Sequence, residues 1–198
     1  MTDRTAHIKR DTNETQIELS INLDGTGQAN IDTGVGFYDH MLHHVAVHGI
    51  IDLNIKATGD LHIDSHHTIE DIAICIGRAI DEALTSRKGI NRMGTAYVPM
   101  DEALARVVID LSGRPYVVIN AEFTTPMMGQ MPTDLVIHAL ETIAFHAKMN
   151  LHAEVLYGRN DHHKAEALFK AFGRALAQAV ATDPRRQGIP STKGTLTE

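Results

Sequence analysis

The chain has 198 residues, of which 43% are hydrophobic, 5% aromatic and none Trp, so one domain or two small halves around an aliphatic core are expected. A net charge of −7 disfavours a general nucleic-acid binder but leaves room for a local basic pocket that takes a small anion. One cysteine, Cys75, excludes an internal disulfide framework. A polar start unlike a signal peptide and the lack of any run of about 18 apolar residues lead us to expect a soluble cytoplasmic protein.

Along the chain, 15–23 sets apolar Ile17, Leu19, Ile21 and Leu23 at alternate positions and reads as a strand. A helix follows around 38–48, then a strand at "IDLNIKATG" (51–59). A long amphipathic helix is expected over about 66–85, with Asp64 or Ser65 as its N-cap. The stretch "INRMGTAYVP" (90–99), punctuated by Gly94 and Pro99, reads as the boundary between two halves. Beyond it, 104–111 and 116–123 are rich in Val and Ile and read as strands. A helix over 133–149, a strand at "NLHAEVLYG" (150–158) and a long helix over about 162–181 follow, with Asn160 or Asp161 as the cap. Strands and helices mix without strict alternation, which argues for an α+β fold. The expected organisation is a first half over 1–93, a second over 94–183 and a flexible tail over 184–198.

The two halves repeat. Laid together without gaps, His66, His67 and Glu70 fall on His162, His163 and Glu166, and "GRAI" (77–80) meets "GRAL" (173–176). His40 lies 26 residues before His66, and His138 lies 24 before His162. Earlier still, "ELSINLDG" (18–25) resembles "RVVIDLSG" (106–113).

Histidine is the anomaly of the composition, with 13 residues, many in tight clusters. On a helix, adjacent residues point about 100° apart, while residues three or four apart share a face. Glu70 can therefore meet His66 or His67, and Glu166 can meet His162 or His163, but two adjacent histidines do not readily chelate one ion together. That geometry suggests two metal ions shared between motifs. Imidazole and carboxylate without thiolate suit Mn²⁺, Fe²⁺ or Zn²⁺. The plainer alternative, that paired histidines are caps or surface residues, loses ground because the motif occurs twice at matched spacing with a matching upstream histidine. His43, His44 and His48 ride the helix of His40, and His48 could reach a ligand. His7, His62, His146 and His152 read as structural or exposed.

Basic residues supply an anion partner. Arg92 in "NRMG" and Arg114 in "SGRPY" each stand beside a glycine at a turn. In the tail, "STKG" (191–194) offers two hydroxyls, backbone N–H groups and an ammonium, a phosphate grip if it is not simply solvated.

The segments "GVGFYDHMLHHVAVHG", "DSHHTIEDIAICIG", "RKGINRMG", "VPMDEALARVVIDLSGRPY", "NDHHKAEALFKAFGRAL" and "PSTKGTL" together resemble the imidazoleglycerol-phosphate dehydratases of histidine biosynthesis, in their monofunctional form, from about Ile8 to Leu196. The resemblance implies helices packed between two four-stranded sheets, one sheet per repeat, and a pair of Mn²⁺ ions. One ion would take His40, His67, Glu70 and His162; the other His66, His138, His163 and Glu166. It further implies a 24-subunit shell in which neighbouring subunits share each site. Glu14 would act at the reacting carbons. Arg92, Arg114, Lys170, Ser191, Thr192 and Lys193 would bind the phosphate, with His48 nearby. His43 departs from the family, where a different polar residue is frequent. The implied reaction loses water from imidazoleglycerol phosphate through a metal-stabilised imidazolate and a diazafulvene-like intermediate, giving imidazole-acetol phosphate. Two other readings remain at this stage: a dinuclear hydrolase of phosphate esters, and a histidine-rich metal-storage shell.

Overall fold

The computed structural model describes residues 4–196. In chain order its elements are β1 (Thr5–Asp11), β2 (Thr15–Asn22), β3 (Ala29–Asp32), α1 (Gly36–Gly49), β4 (Asp52–Gly59) and α2 (His66–Leu84), followed by β5 (Met93–Met100), β6 (Ala103–Asp110), β7 (Tyr116–Asn120), β8 (Met127–Met128), β9 (Met131–Pro132), α3 (Asp134–His146), β10 (Asn150–Tyr157) and α4 (Asp161–Val180). Strand order is β1-β2-β4-β3 in one sheet and β5-β6-β10-β7 in the other. In both, the third strand of the half lies parallel to the fourth and the other pairings are antiparallel. The α+β duplication expected from sequence is therefore carried into the topology, with the short β8–β9 hairpin as an addition to the second half.

Alternation builds each sheet. On β2, Ile17, Leu19 and Ile21 are buried while Gln16 and Glu18 face out; on β6, Ala103, Ala105, Val107 and Ile109 do the same. The helices fill the space between the sheets. α2 covers β1 and β2, α4 covers β5 and β6, and α1 packs on α4 while α2 packs on α3. Each helix contact thus joins the two halves. Close approach at these crossings depends on a pair of repeat-equivalent glycines. A Cβ on Gly77 would lie 2.6 Å from the Ile143 carbonyl oxygen of α3, and one on Gly173 would lie 2.8 Å from that of Val45 on α1.

Several elements were not expected. β1 exposes most of its residues, and only Ile8 is buried. β3 has four residues. β5 runs through the stretch read as a boundary. It is an edge strand, where Pro99 costs no ladder bond within the sheet, and Gly94 allows α4 to lie against it, since a Cβ there would sit 1.9 Å from the Ala175 carbonyl oxygen. Two elements end earlier than the sequence suggests: β7 at Asn120 and α3 at His146.

The segment joining the halves, residues 85–92, is pinned rather than slack. Thr85, Arg87 and Arg92 all have positive φ, at 48°, 54° and 73°. Arg87 is buried and donates to the carbonyls of Leu111, Ala147 and Lys148 while pairing with Asp81. The start of the tail is tied to the same segment through Gly89 N–H to the Gly188 carbonyl and Asp183 N–H to the Gly89 carbonyl, and Leu196 is buried. Among the described residues no helix is long and apolar enough to cross a membrane.

Candidate active site

The aspartate or asparagine before each histidine pair starts the helix. Asn160 accepts at Oδ1 from the N–H groups of His162 and His163. In the first half Asp64 Oδ1 accepts from His66 N–H at 2.8 Å, while Ser65 makes no capping bond. α2 therefore begins at its histidine pair, and α4 begins one residue before its own, at Asp161. The rings of His66 and His67 lie 81° apart, and those of His162 and His163 lie 88° apart.

Within the chain the first histidine of each pair joins a triad. The packing of α1 on α4 brings His40 to His162 and Glu166. Glu166 Oε1 accepts from His162 Nε2 at 2.8 Å and from His40 Nε2 at 3.0 Å. The packing of α3 on α2 brings His138 to His66 and Glu70, and Glu70 Oε1 accepts from His138 Nε2 at 3.1 Å. In each triad the ligand atoms lie within 4.8 Å of one another. These triads are repeat equivalents: His40 with His138, His162 with His66, Glu166 with Glu70.

The second histidine of each pair faces away from the triads. His67 donates from Nδ1 to Asp60 Oδ2 at 2.9 Å, and His163 donates from Nδ1 to Glu102 Oε2 at 2.7 Å. The hydrogen bond to Asp60, with the nearby charge of Glu14, raises the pKa of His67; the bond to Glu102 does the same for His163. Glu102, bound by His163 and by the Asn160 N–H, is held down to about 2. Compared with the ligand sets implied by the family resemblance, His40 and His162 fall together, as do His66 and His138. Glu166 and Glu70, however, sit with the opposite pair, and His67 and His163 sit with neither. Neither set of four is complete within one chain.

Glu166 is the electrostatic hub of its triad. Burial works to raise its pKa, but hydrogen bonds from Lys170, His40 and His162 outweigh it and hold the carboxyl at about 2. Lys170 Nζ also meets Met100 Sδ. His44 Nε2 lies 3.2 Å from Glu166 Oε2 without hydrogen-bond geometry, and burial pushes this ring down to about 4. The His48 ring lies 5.7 Å beyond that of His44, tilted by 31°, and its pKa is likewise lowered by burial. His43 donates to the Asp39 carbonyl one turn back and joins neither triad.

Glu14 stands on the β1–β2 turn, which is closed by Thr12 Oγ1 accepting from the N–H groups of Glu14 and Thr15. Its Oε2 lies 3.9 Å from His67 Nδ1. Arg92 grips Asp110 through both Nε and Nη2, and its Nη1 donates to the Pro190 carbonyl. It thereby holds the tail at the residue before Ser191. Ser191 Oγ accepts from the Lys193 N–H, and Thr192 and Lys193 are exposed. Arg114 lies on the β6–β7 turn, where its carbonyl accepts from Asn150. Sequence reasoning missed Asp60 and Glu102, and placed His44 on the helix of His40 without giving it a role. For Glu102 a signal existed: the offset of 88 that lays "ELSINLDG" on "RVVIDLSG" also lays Glu14 on Glu102.

The donors fit a divalent cation of borderline or hard character. They are imidazole nitrogens and carboxylate oxygens, with the only cysteine buried inside α2. Fold and site together define a class: duplicated α+β enzymes that set matching histidine–carboxylate triads at the junctions of their two halves.

A family model described as imidazoleglycerol-phosphate dehydratase matches residues 33–176. The imidazoleglycerol-phosphate dehydratase of a Roseiflexus species is 61% identical over 98% of both chains, and that of Chloroflexus aggregans is 60% identical over 98% of this chain and 95% of its own. The crystal structure of the Staphylococcus aureus enzyme superposes with a TM-score of 0.82 at 40% identity, covering 90% of this chain and 99% of the other. The chain belongs to the imidazoleglycerol-phosphate dehydratase family and is a hydro-lyase.

Proposed function

We propose that the chain removes water from imidazoleglycerol phosphate to give imidazole-acetol phosphate, a step of histidine biosynthesis, using a pair of Mn²⁺ ions. The pair of matching triads carries this reading, because it supplies imidazole and carboxylate donors at two equivalent places. His40, His67, Glu70 and His162 would hold one ion, and His66, His138, His163 and Glu166 the other. When bound, such ions act as Lewis acids toward a ligand ring and lower its pKa.

The remaining work falls to side chains. Glu14, beside His67, carries the proton of the substrate carbon one removed from the ring, as a general base. Lys170, Arg114, Ser191, Thr192 and Lys193 grip the phosphate, with His48 close to Lys170. Arg92 already spends its fork on Asp110, so its contribution is to hold the tail through the Pro190 carbonyl and to offer what remains of Nη1. That no ligand set closes within one chain supports sites shared between neighbouring copies in a large homo-oligomer, as in a 24-subunit shell.

The test is to incubate the purified, manganese-loaded protein with imidazoleglycerol phosphate. Formation of the ketone without inorganic phosphate is expected. Release of free phosphate would instead indicate ester hydrolysis, and an unchanged substrate would leave only metal binding or storage.

A further inference from the structure

The second histidine of each pair is held by a carboxylate that comes from a different place in each half. His67 is held by Asp60, in the segment between β4 and α2. His163 is held by Glu102, on the β5–β6 turn, 61 residues away in sequence. By the repeat, Glu102 is the counterpart of Glu14. In the first half that turn carboxylate stands 3.9 Å off, and Asp60 occupies the Nδ1 contact in its place.

An ionised carboxylate can only accept, so each bond places a hydrogen on Nδ1, and in the neutral ring the lone pair is then on Nε2. Nε2 is the atom then free to ligate. Among the described residues the Asp60 side chain makes no other side-chain hydrogen bond, and its Oδ1 is buried without one. Glu102 does two tasks with two atoms. Oε1 accepts from the N–H groups of Arg159 and Asn160 and so anchors the entry to α4, while Oε2 takes His163.

We infer that Asp60 and Glu102 are positioning residues that fix the tautomer and orientation of His67 and His163 for metal binding, and that in the first half Asp60 has taken over this task so that Glu14 is left free to handle the substrate proton. This rests on the proposed metal-dependent function. It assigns the two repeat-equivalent glutamates different work: one orients a ligand, the other meets substrate.

Glu102→Gln separates the orienting role from the structural one. The amide oxygen can keep both backbone bonds at the Oε1 position. The amide NH₂ then faces His163 Nδ1 as a donor, which forces the ring hydrogen onto Nε2 and removes the ligating lone pair. The experiment titrates Mn²⁺ into metal-free wild-type, E102Q, D60N and E14Q proteins by calorimetry, with circular dichroism as the check on folding. E102Q and D60N are expected to fold and to bind one of their two ions about 10–100-fold more weakly, while E14Q binds both as wild type does. Wild-type affinity in folded E102Q and D60N, beside normal uptake by wild type, would overturn the inference alone. A wild-type protein that takes up no Mn²⁺ would overturn the proposed function and this inference with it. If E102Q fails to fold, D60N decides by the same criterion.

Discussion

Glu14 and Lys193 divide the proposed reaction between proton transfer and binding, and kinetics can separate the two. Glu14→Gln keeps the shape of the side chain and loses the base. It is expected to lower kcat by about 10²–10⁴ with little change in KM. Lys193→Ala removes one charge-assisted phosphate bond, worth about 1.5–3 kcal/mol, and is expected to raise KM by about ten- to a hundred-fold. A Glu14→Gln variant with near-normal kcat and a raised KM would make Glu14 a binding residue. Cys75 gives a check that is independent of activity. It is fully buried on α2, and burial pushes its thiol up to about 11. At pH 8 the native thiol stays protonated and shielded, so native protein should resist iodoacetamide and unfolded protein should take up one equivalent; rapid labelling of native protein would contradict the packing of α2. The residues of HHxxE were legible because helix geometry is local. Asp60 was not, because a carboxylate in the loop seven residues before its histidine leaves no periodic trace, and Glu102 could be read only through the repeat that lays Glu14 on it.

Gly77 shows how an element's packing can be written in one residue. On an isolated helix, alanine in place of glycine would gain about 1 kcal/mol. Here the added Cβ would meet both the Ile143 carbonyl oxygen and the His146 Cβ at 2.6 Å, and overpacking against backbone costs about 1–3 kcal/mol. Gly77→Ala is therefore expected to lower the melting temperature, and an unchanged or raised value would show that α2 and α3 can part without loss. At this scale the sequence was informative wherever burial was regular. β2, β6, β4, β10 and all four helices follow their apolar spacing. β1 escaped notice because it buries one residue, and β3 because it is four residues long. β5 escaped because its glycine and proline, read as turn punctuation, serve helix contact and an edge position.

Across the whole molecule, the α1–α4 and α2–α3 contacts place one triad at each junction of the halves, and the second histidines face outward from both. If neighbouring copies complete the sites, the ions bridge subunits. Stripping Mn²⁺ with a chelator is then expected to break the large assembly into smaller units, such as trimers, and light scattering showing no loss of mass would argue against bridged interfaces. The pinned segment over 85–92 has a consequence of a different kind. Two sheets of identical strand order, clasped through helices that each pack on the other half, amount to a homodimer made into one polypeptide. In a homodimer every substitution appears twice, related by the twofold axis. Once the copies are fused, their encounter no longer depends on concentration, and each copy can change alone. Glu14 and Glu102, which one gene position would have kept identical, were then free to take up separate trades.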